Sequence, residues 1–222
     1  MAKAKTHYVC NNCGESFPKW AGKCEACGQW NTLVAFHEAS VKGKAAGGEK
    51  LVPQKLSDVT MPTDKDRLKT KIMPVDEVLG GGIVPASSVL LAGEPGIGKS
   101  TILLQLAAAI SKDRSVLYVS GEESVSQIKL RAERLSLSTA DLQIAASTSA
   151  NDIASSMSTA GYDLVIVDSI QTVAVAELDN AAGSVSQITN SAQLLQATAK
   201  KTNTAMVMVG HVTKEGSIAG PK

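Results

Sequence analysis

The chain has 222 residues, 44% hydrophobic and 19% charged, which suits a small module plus one ordinary domain and excludes a disordered or fibrous protein. Residues 1–71 carry 12 Lys+Arg against 7 Asp+Glu and residues 72–222 carry 10 against 14, so a net charge of +1 hides a basic front suited to a polyanion such as nucleic acid. No window reads as a membrane span, and the N-terminal lysines lead into no apolar run of a signal peptide, so no membrane partner and a cytoplasmic location are expected.

All four cysteines stand in residues 10–27, as Cys10-x2-Cys13-x10-Cys24-x2-Cys27. Each pair is followed by a glycine, Gly14 or Gly28, whose freedom lets backbone N–H groups turn toward the sulfurs. Two such knuckles supply four thiolates to a tetrahedral Zn²⁺ with no open position, a structural rather than a catalytic site. Two disulfides or a redox pair are the alternative, disfavoured in a cytosolic chain. A module of this size (residues 7–37) buries too little apolar surface to fold without its metal. Trp20 and Trp30 have two readings: packing beneath the zinc site, which is favoured, or stacking on exposed bases.

Residues 38–56 are small and charged and read as a basic flexible linker. From residue 57 onward, short apolar runs alternate with helical patterns. The runs are residues 88–93, 115–120, 142–145, 163–168 and 205–210, apolar without alternation, as in parallel strands buried on both faces. Between them lie an Ala/Leu run over 102–110 and two periodic sets, Val125-Ile128-Ala132-Leu135 and Val185-Ile188-Ala192-Leu195-Ala199. This alternation predicts an α/β domain of right-handed βαβ units over 57–222.

The first apolar run leads into Gly93-Glu94-Pro95-Gly96-Ile97-Gly98-Lys99-Ser100-Thr101, which fits G-x-x-x-x-G-K-[ST] between a strand and a helix. The glycines let N–H groups curl around phosphate oxygens, and the helix N-terminus adds its dipole. Lys99 is placed to reach the β- and γ-phosphates of ATP, and the Ser100 hydroxyl to ligate Mg²⁺. Asp168 closes the apolar run 164–167 and is expected beside that Mg²⁺. Glu122 and Glu123 follow the run 115–120, where a carboxylate can polarise an attacking water; spacing does not choose between them. His211 follows the last run and is either a γ-phosphate sensor or a structural residue.

Together the stretches "PKWAGKC", "CGQWNTL", "QKLSDV", "VDEVLGGGIVP", "GEPGIGKST", "YVSGEES", "QIKLRAERL", "DLVIVDSIQTV", "GSVSQI" and "VGHVTKEG" resemble the RadA (Sms) family of bacterial DNA-repair ATPases, related to RecA. The resemblance implies a RecA-like ATPase core with a mainly parallel sheet behind a four-cysteine zinc ribbon. It implies a homo-hexameric ring that hydrolyses ATP, binds single-stranded or branched DNA and drives branch migration, with a recombinase or replicative helicase as a further partner. Carried over, residues 93–101 hold ATP, Cys10, Cys13, Cys24 and Cys27 hold zinc, Ser100 and Asp168 face Mg²⁺, and Glu122 aligns with the catalytic glutamate. DNA-facing loops are expected around 172–186 and 214–222.

The chain departs from the family pattern at Ala86, where glycine is usual in V-P-G-S, and at Glu25, where proline is common. Alanine at 86 is harmless unless φ is positive there. The family's K-N-R-F-G motif and Lon-protease-like domain are expected beyond Lys222. A P-loop kinase is disfavoured because its lid would carry arginines and none follows Asp168. The main alternative is a nucleotide-sensing, zinc-finger regulatory protein without motor activity.

Overall fold

The computed structural model describes residues 6–10, 12–37, 53, 55–59 and 66–211. Most of the expected linker and the expected DNA-facing stretch 214–222 lie outside these residues. The chain divides into two compact units, Met1–Met61 and Pro62–Lys222.

In the first unit, β1 (Thr6–Cys10), β2 (Ser16–Phe17) and β3 (Leu33–His37) form an antiparallel sheet in the order β2-β1-β3. Its core is small: Cys10, Cys24 and Leu33 are buried, with Tyr8, Phe17, Ala21 and Cys27 packed around them.

The second unit is a five-stranded parallel sheet in the order β4-β8-β7-β5-β6. The strands are β4 (Ser88–Gly93), β5 (Val116–Ser120), β6 (Gln143–Ala146), β7 (Leu164–Asp168) and β8 (Ala205–His211). A short helix α1 (Met73–Val78) precedes the sheet, and α2 (Lys99–Ile110), α3 (Val125–Arg134), α4 (Ala150–Ala160) and α5 (Val185–Thr202) connect its strands.

One sheet face packs on α2 and α3 through Leu103, Leu104, Ala107, Ile128 and Ala132; the other packs on α4 and α5 through Ile153, Met157, Ile188 and Leu195. Each fully buried Leu or Ile contributes about 1.5–3 kcal/mol relative to exposure. Burial on both faces explains the unbroken apolar runs: every residue of β5 and β7 is buried. The outer strands β4 and β6 depart from that expectation and are partly exposed, because each has a neighbour on one side only among the described residues.

Helix α4 escapes the periodicity reading. Its core positions, Ala150, Ile153, Ala154 and Met157, have helical spacing but stand among Ser, Thr and Asn. The Ser149 hydroxyl accepts from the Asp152 N–H and Gly161 ends the helix at φ 67°, so caps define it more clearly than its apolar face. Helix α3 opens with a full capping box between Ser124 and Gln127.

Ala86 has φ 58°, a left-handed conformation. It is the third residue of the turn Val84–Ser87, closed by the Ser87 N–H donating to the Val84 carbonyl at 3.2 Å. With Pro85 before it, this is a position where type II turns favour glycine. The alanine is therefore strained rather than harmless.

Candidate functional site

The loop between β4 and α2 is shaped by backbone rather than packing. Gly96 and Gly98 have φ 82° and 96°, and a Cβ at either would meet nothing within 4 Å. Glycine is needed there for its left-handed conformation, not for space. Gly98 caps α2 by accepting from the N–H groups of Thr101 and Ile102 at 3.1 and 3.0 Å. The amides of Lys99, Ser100 and Thr101 lie in the first turn, where an anion is favoured. Lys99 is buried, and its ammonium donates to the carbonyls of Gly93 and Glu94 at 2.8 and 2.7 Å, which draws the cation across the mouth of the loop.

Parallel strands put their carboxyl ends on one side, and β4, β8, β7 and β5 are neighbours in that order. Gly93 pairs with His211 and Ser120 with Asp168 in register, so the ends of all four strands share one edge. Asp168 is buried, 3% exposed, and its Oδ2 accepts from the Tyr118 hydroxyl at 2.5 Å. Tyr118 pairs with Ile166, and Asp168 lies two residues on, on the same face, which brings the two side chains together. Burial and the Asp168 carboxylate push the Tyr118 hydroxyl well above the ordinary phenol range, so it remains a proton donor.

The two glutamates after β5 take different partners. Glu123 pairs with Arg131 of α3 at 2.8 Å, and an Arg131 Nη donates to the Tyr118 hydroxyl at 3.4 Å. Glu122 instead turns to the strand ends: its Oε1 accepts from the Ser169 hydroxyl at 2.5 Å and lies 3.3 Å from His211 Nε2. Glu122, Ser169 and His211 thus meet at the ends of β5, β7 and β8. Gly121 permits this closeness, since a Cβ there would lie 2.1 Å from Thr172 Oγ1.

Sequence reasoning missed Tyr118, Arg131 and Ser169. Tyr118 and Ser169 sit inside motifs already noted, "YVSGEES" and "DLVIVDSIQTV", but nothing in a linear pattern pairs them with Asp168 and Glu122. Around 172–186 the backbone is held by Gln187, 1% exposed, which accepts from the Val175 N–H and donates to the carbonyls of Val175, Leu178 and Asn180.

In the ribbon the four cysteine sulfurs lie within 4.8 Å of one another. The Cys10–Cys27 and Cys13–Cys24 sulfurs are 3.7 and 3.6 Å apart. A tetrahedral Zn²⁺ with bonds of about 2.3 Å separates its sulfurs by about 3.8 Å, so the four residues fit zinc. The knuckles are built alike: Gly14 N–H donates to the Cys10 carbonyl and Gly28 N–H to the Cys24 carbonyl, both at 2.8 Å. Burial opposes ionisation of Cys10, but hydrogen bonds to Thr32 and to the backbone of Cys13 and Asn12 outweigh it and bring the thiol down to about 6. Burial and the neighbouring thiols push Cys13 up to about 12. A divalent cation among the sulfurs relieves that crowding of negative charge.

The tryptophans are not beneath this centre. Trp20 and Trp30 are 58% and 69% exposed, against the favoured packing reading; among the described residues the ribbon's core is formed instead by Cys10, Cys24 and Leu33.

Residues 53–217 match the family model described as an AAA domain, and residues 8–35 match one described as a rubredoxin metal binding domain. The chain belongs to the AAA-domain family. It is 46% identical over its whole length to the DNA repair protein RadA of Listeria monocytogenes, 43% to that of Brucella abortus and 41% to that of Escherichia coli. It covers 50% of each, so the chain spans about half the length of these curated relatives. The RadA resemblance read from the motifs therefore holds over the whole chain. Among solved structures, a KaiC-like protein from Pyrococcus horikoshii aligns with a TM-score of 0.57 at 16% identity, over 68% of this chain and 73% of that one. A DnaB-like replicative helicase, solved for its interactions with primase, aligns at 0.55 and 17%, over 67% of this chain and 44% of that one. These likenesses show the fold alone: a parallel α/β core of the RecA-like type with its phosphate loop, alongside a four-cysteine ribbon that matches a metal-binding family model. Among the described residues, no helix is long and apolar enough to cross a membrane.

Proposed function

We propose that the chain is the ATP-hydrolysing part of a cytoplasmic DNA-repair motor that acts on single-stranded or branched DNA and promotes branch migration. The observation that carries this reading is the gathering of the phosphate loop, Asp168 and Glu122 along one sheet edge. Residues 93–101 hold the triphosphate, with Lys99 on its β- and γ-phosphates. Ser100 and Asp168 are the oxygen donors on the Mg²⁺ side, a set suited to a hard cation. Bound there, Mg²⁺ neutralises charge developing on the phosphates. Glu122 orients the attacking water and accepts its proton; Glu123, paired with Arg131, holds α3 to the loop. His211, against Glu122, is placed to sense the γ-phosphate. The relatives' shared designation as DNA repair proteins supports the DNA-linked role, and the family resemblance supports a hexameric ring with a recombinase or helicase as partner.

ATP turnover by the full chain, with and without single-stranded DNA, tests this. Stimulation by DNA is expected, with loss of turnover in Lys99→Ala and at least a hundredfold fall in Glu122→Gln, while Glu123→Gln keeps most of its rate. Nucleotide binding with no turnover under either condition overturns the motor and leaves a nucleotide-sensing regulator. Turnover that survives Lys99→Ala overturns the site.

A further inference from the structure

Among the described residues of the ribbon, its two largest side chains are its most conspicuous exposed apolar groups: Trp20 and Trp30. They are neighbours. A Cβ placed on Gly22 would lie 3.7 Å from Trp30 Cζ3 and 3.9 Å from Trp20 Cη2, so both indoles border the same bare stretch of backbone. Their mounting is firm. Lys23 bridges Trp30 as an antiparallel pair, the Asn31 N–H donates to the Gly22 carbonyl at 2.7 Å, and the Cys24 N–H donates to the Gln29 carbonyl at 2.8 Å. The second zinc knuckle therefore sits inside the hairpin that carries the rings. The Lys23 ammonium stands 5.8 Å from the centre of the Trp30 ring, and Lys19, beside Trp20, is exposed.

Aromatic surface with ammonium groups beside it, one of them over a face of the Trp30 ring, matches the bases and phosphates of a single-stranded nucleic acid. Bases stack on the rings and phosphates pair with the lysines. A duplex offers no free base faces along its length. A purely apolar protein partner would gain nothing from cations beside the rings, and the surrounding segment, residues 1–71, carries 12 basic against 7 acidic residues.

We infer that Trp20 and Trp30, with Lys19 and Lys23, form a base-stacking platform for single-stranded DNA, which the zinc site holds in shape. This rests on the reading that the chain acts on single-stranded DNA. It assigns the ribbon a direct contact with the strand, separate from the loops of the ATPase unit.

The chain's only two tryptophans are these two, so its indole emission reports the platform alone. The zinc-loaded full chain is titrated with short oligo-dT and with an abasic strand of equal length, following indole emission, while anisotropy of labelled strands reports total binding. Oligo-dT is expected to quench the emission and the abasic strand to leave it. Trp20→Ala and Trp30→Ala are each expected to weaken oligo-dT binding about tenfold, with Trp20→Phe and Trp30→Phe within about twofold of the parent. Unchanged zinc content in the alanine variants separates lost stacking from lost folding. Oligo-dT bound with no change in emission overturns the platform, leaves the DNA reading standing and assigns the patch to a protein surface. Failure to bind oligo-dT at all overturns both.

Discussion

Tyr118→Phe removes one oxygen from the interior of the AAA domain and leaves the ring volume unchanged. The phenol is fully buried and donates to Asp168 Oδ2 at 2.5 Å, while an Arg131 Nη donates to its oxygen at 3.4 Å. A hydrogen bond to a charged group contributes about 1.5–3 kcal/mol, and the variant leaves a buried carboxylate without that donor. With about 2–4 °C per kcal/mol for a domain of this size, the melting temperature should fall by roughly 3–12 °C. Far-UV circular dichroism follows it, since the tryptophans lie in the ribbon. Turnover offers a second measure. Asp168 loses its orientation while the phosphate loop is untouched, so kcat should fall more than KM rises. A melting temperature and a kcat both equal to the parent's would refute the claim that Tyr118 holds Asp168 in place.

Ala86→Gly should stabilise the chain. Relief of a left-handed alanine is worth about 1–2 kcal/mol and the added backbone freedom of glycine costs about 0.5–1, leaving a gain of up to about 1.5 kcal/mol; a lower melting temperature would show that the turn is not strained. Chelation of zinc should expose all four thiols to a disulfide reagent while the helical signal of the AAA domain persists, because the ribbon is a separate compact unit. Loss of that helical signal on chelation would mean that the two units do not fold independently.

Features whose chemistry depends on consecutive residues were legible in the sequence. The phosphate loop needs glycine at particular steps because the backbone there is left-handed, so its spacing is also its mechanism. The cysteine knuckles obey the same logic, with Gly14 and Gly28 at φ 79° and 74°. Strand burial was legible in the centre of the sheet, where the only polar group of β5 and β7 before their last residue is the Tyr118 hydroxyl. Orientation was not. Two tryptophans in a cysteine-rich module suggest a core by composition, yet a core of Cys10, Cys24 and Leu33 leaves them outside. Helix α4 was hidden because half of its apolar stripe is alanine and most of its other positions are Ser, Thr and Asn.

The choice between Glu122 and Glu123 shows where the boundary falls. Adjacent residues of the same type cannot be told apart by spacing, and both follow the same strand. What separates them is the order of strands: β7 lies beside β5, and β8 beyond it. That order brings Ser169 and His211 to Glu122, and it leaves Glu123 to Arg131 on the helix that follows. On the proposed function, phosphate binding is written in one continuous loop, whereas the groups proposed for hydrolysis come from three strands that are distant in sequence. A substitution within residues 93–101 should therefore act on nucleotide binding. One at Tyr118, Ser169 or His211 should act on turnover with binding preserved, because each contacts a carboxylate at the strand ends and none belongs to the loop.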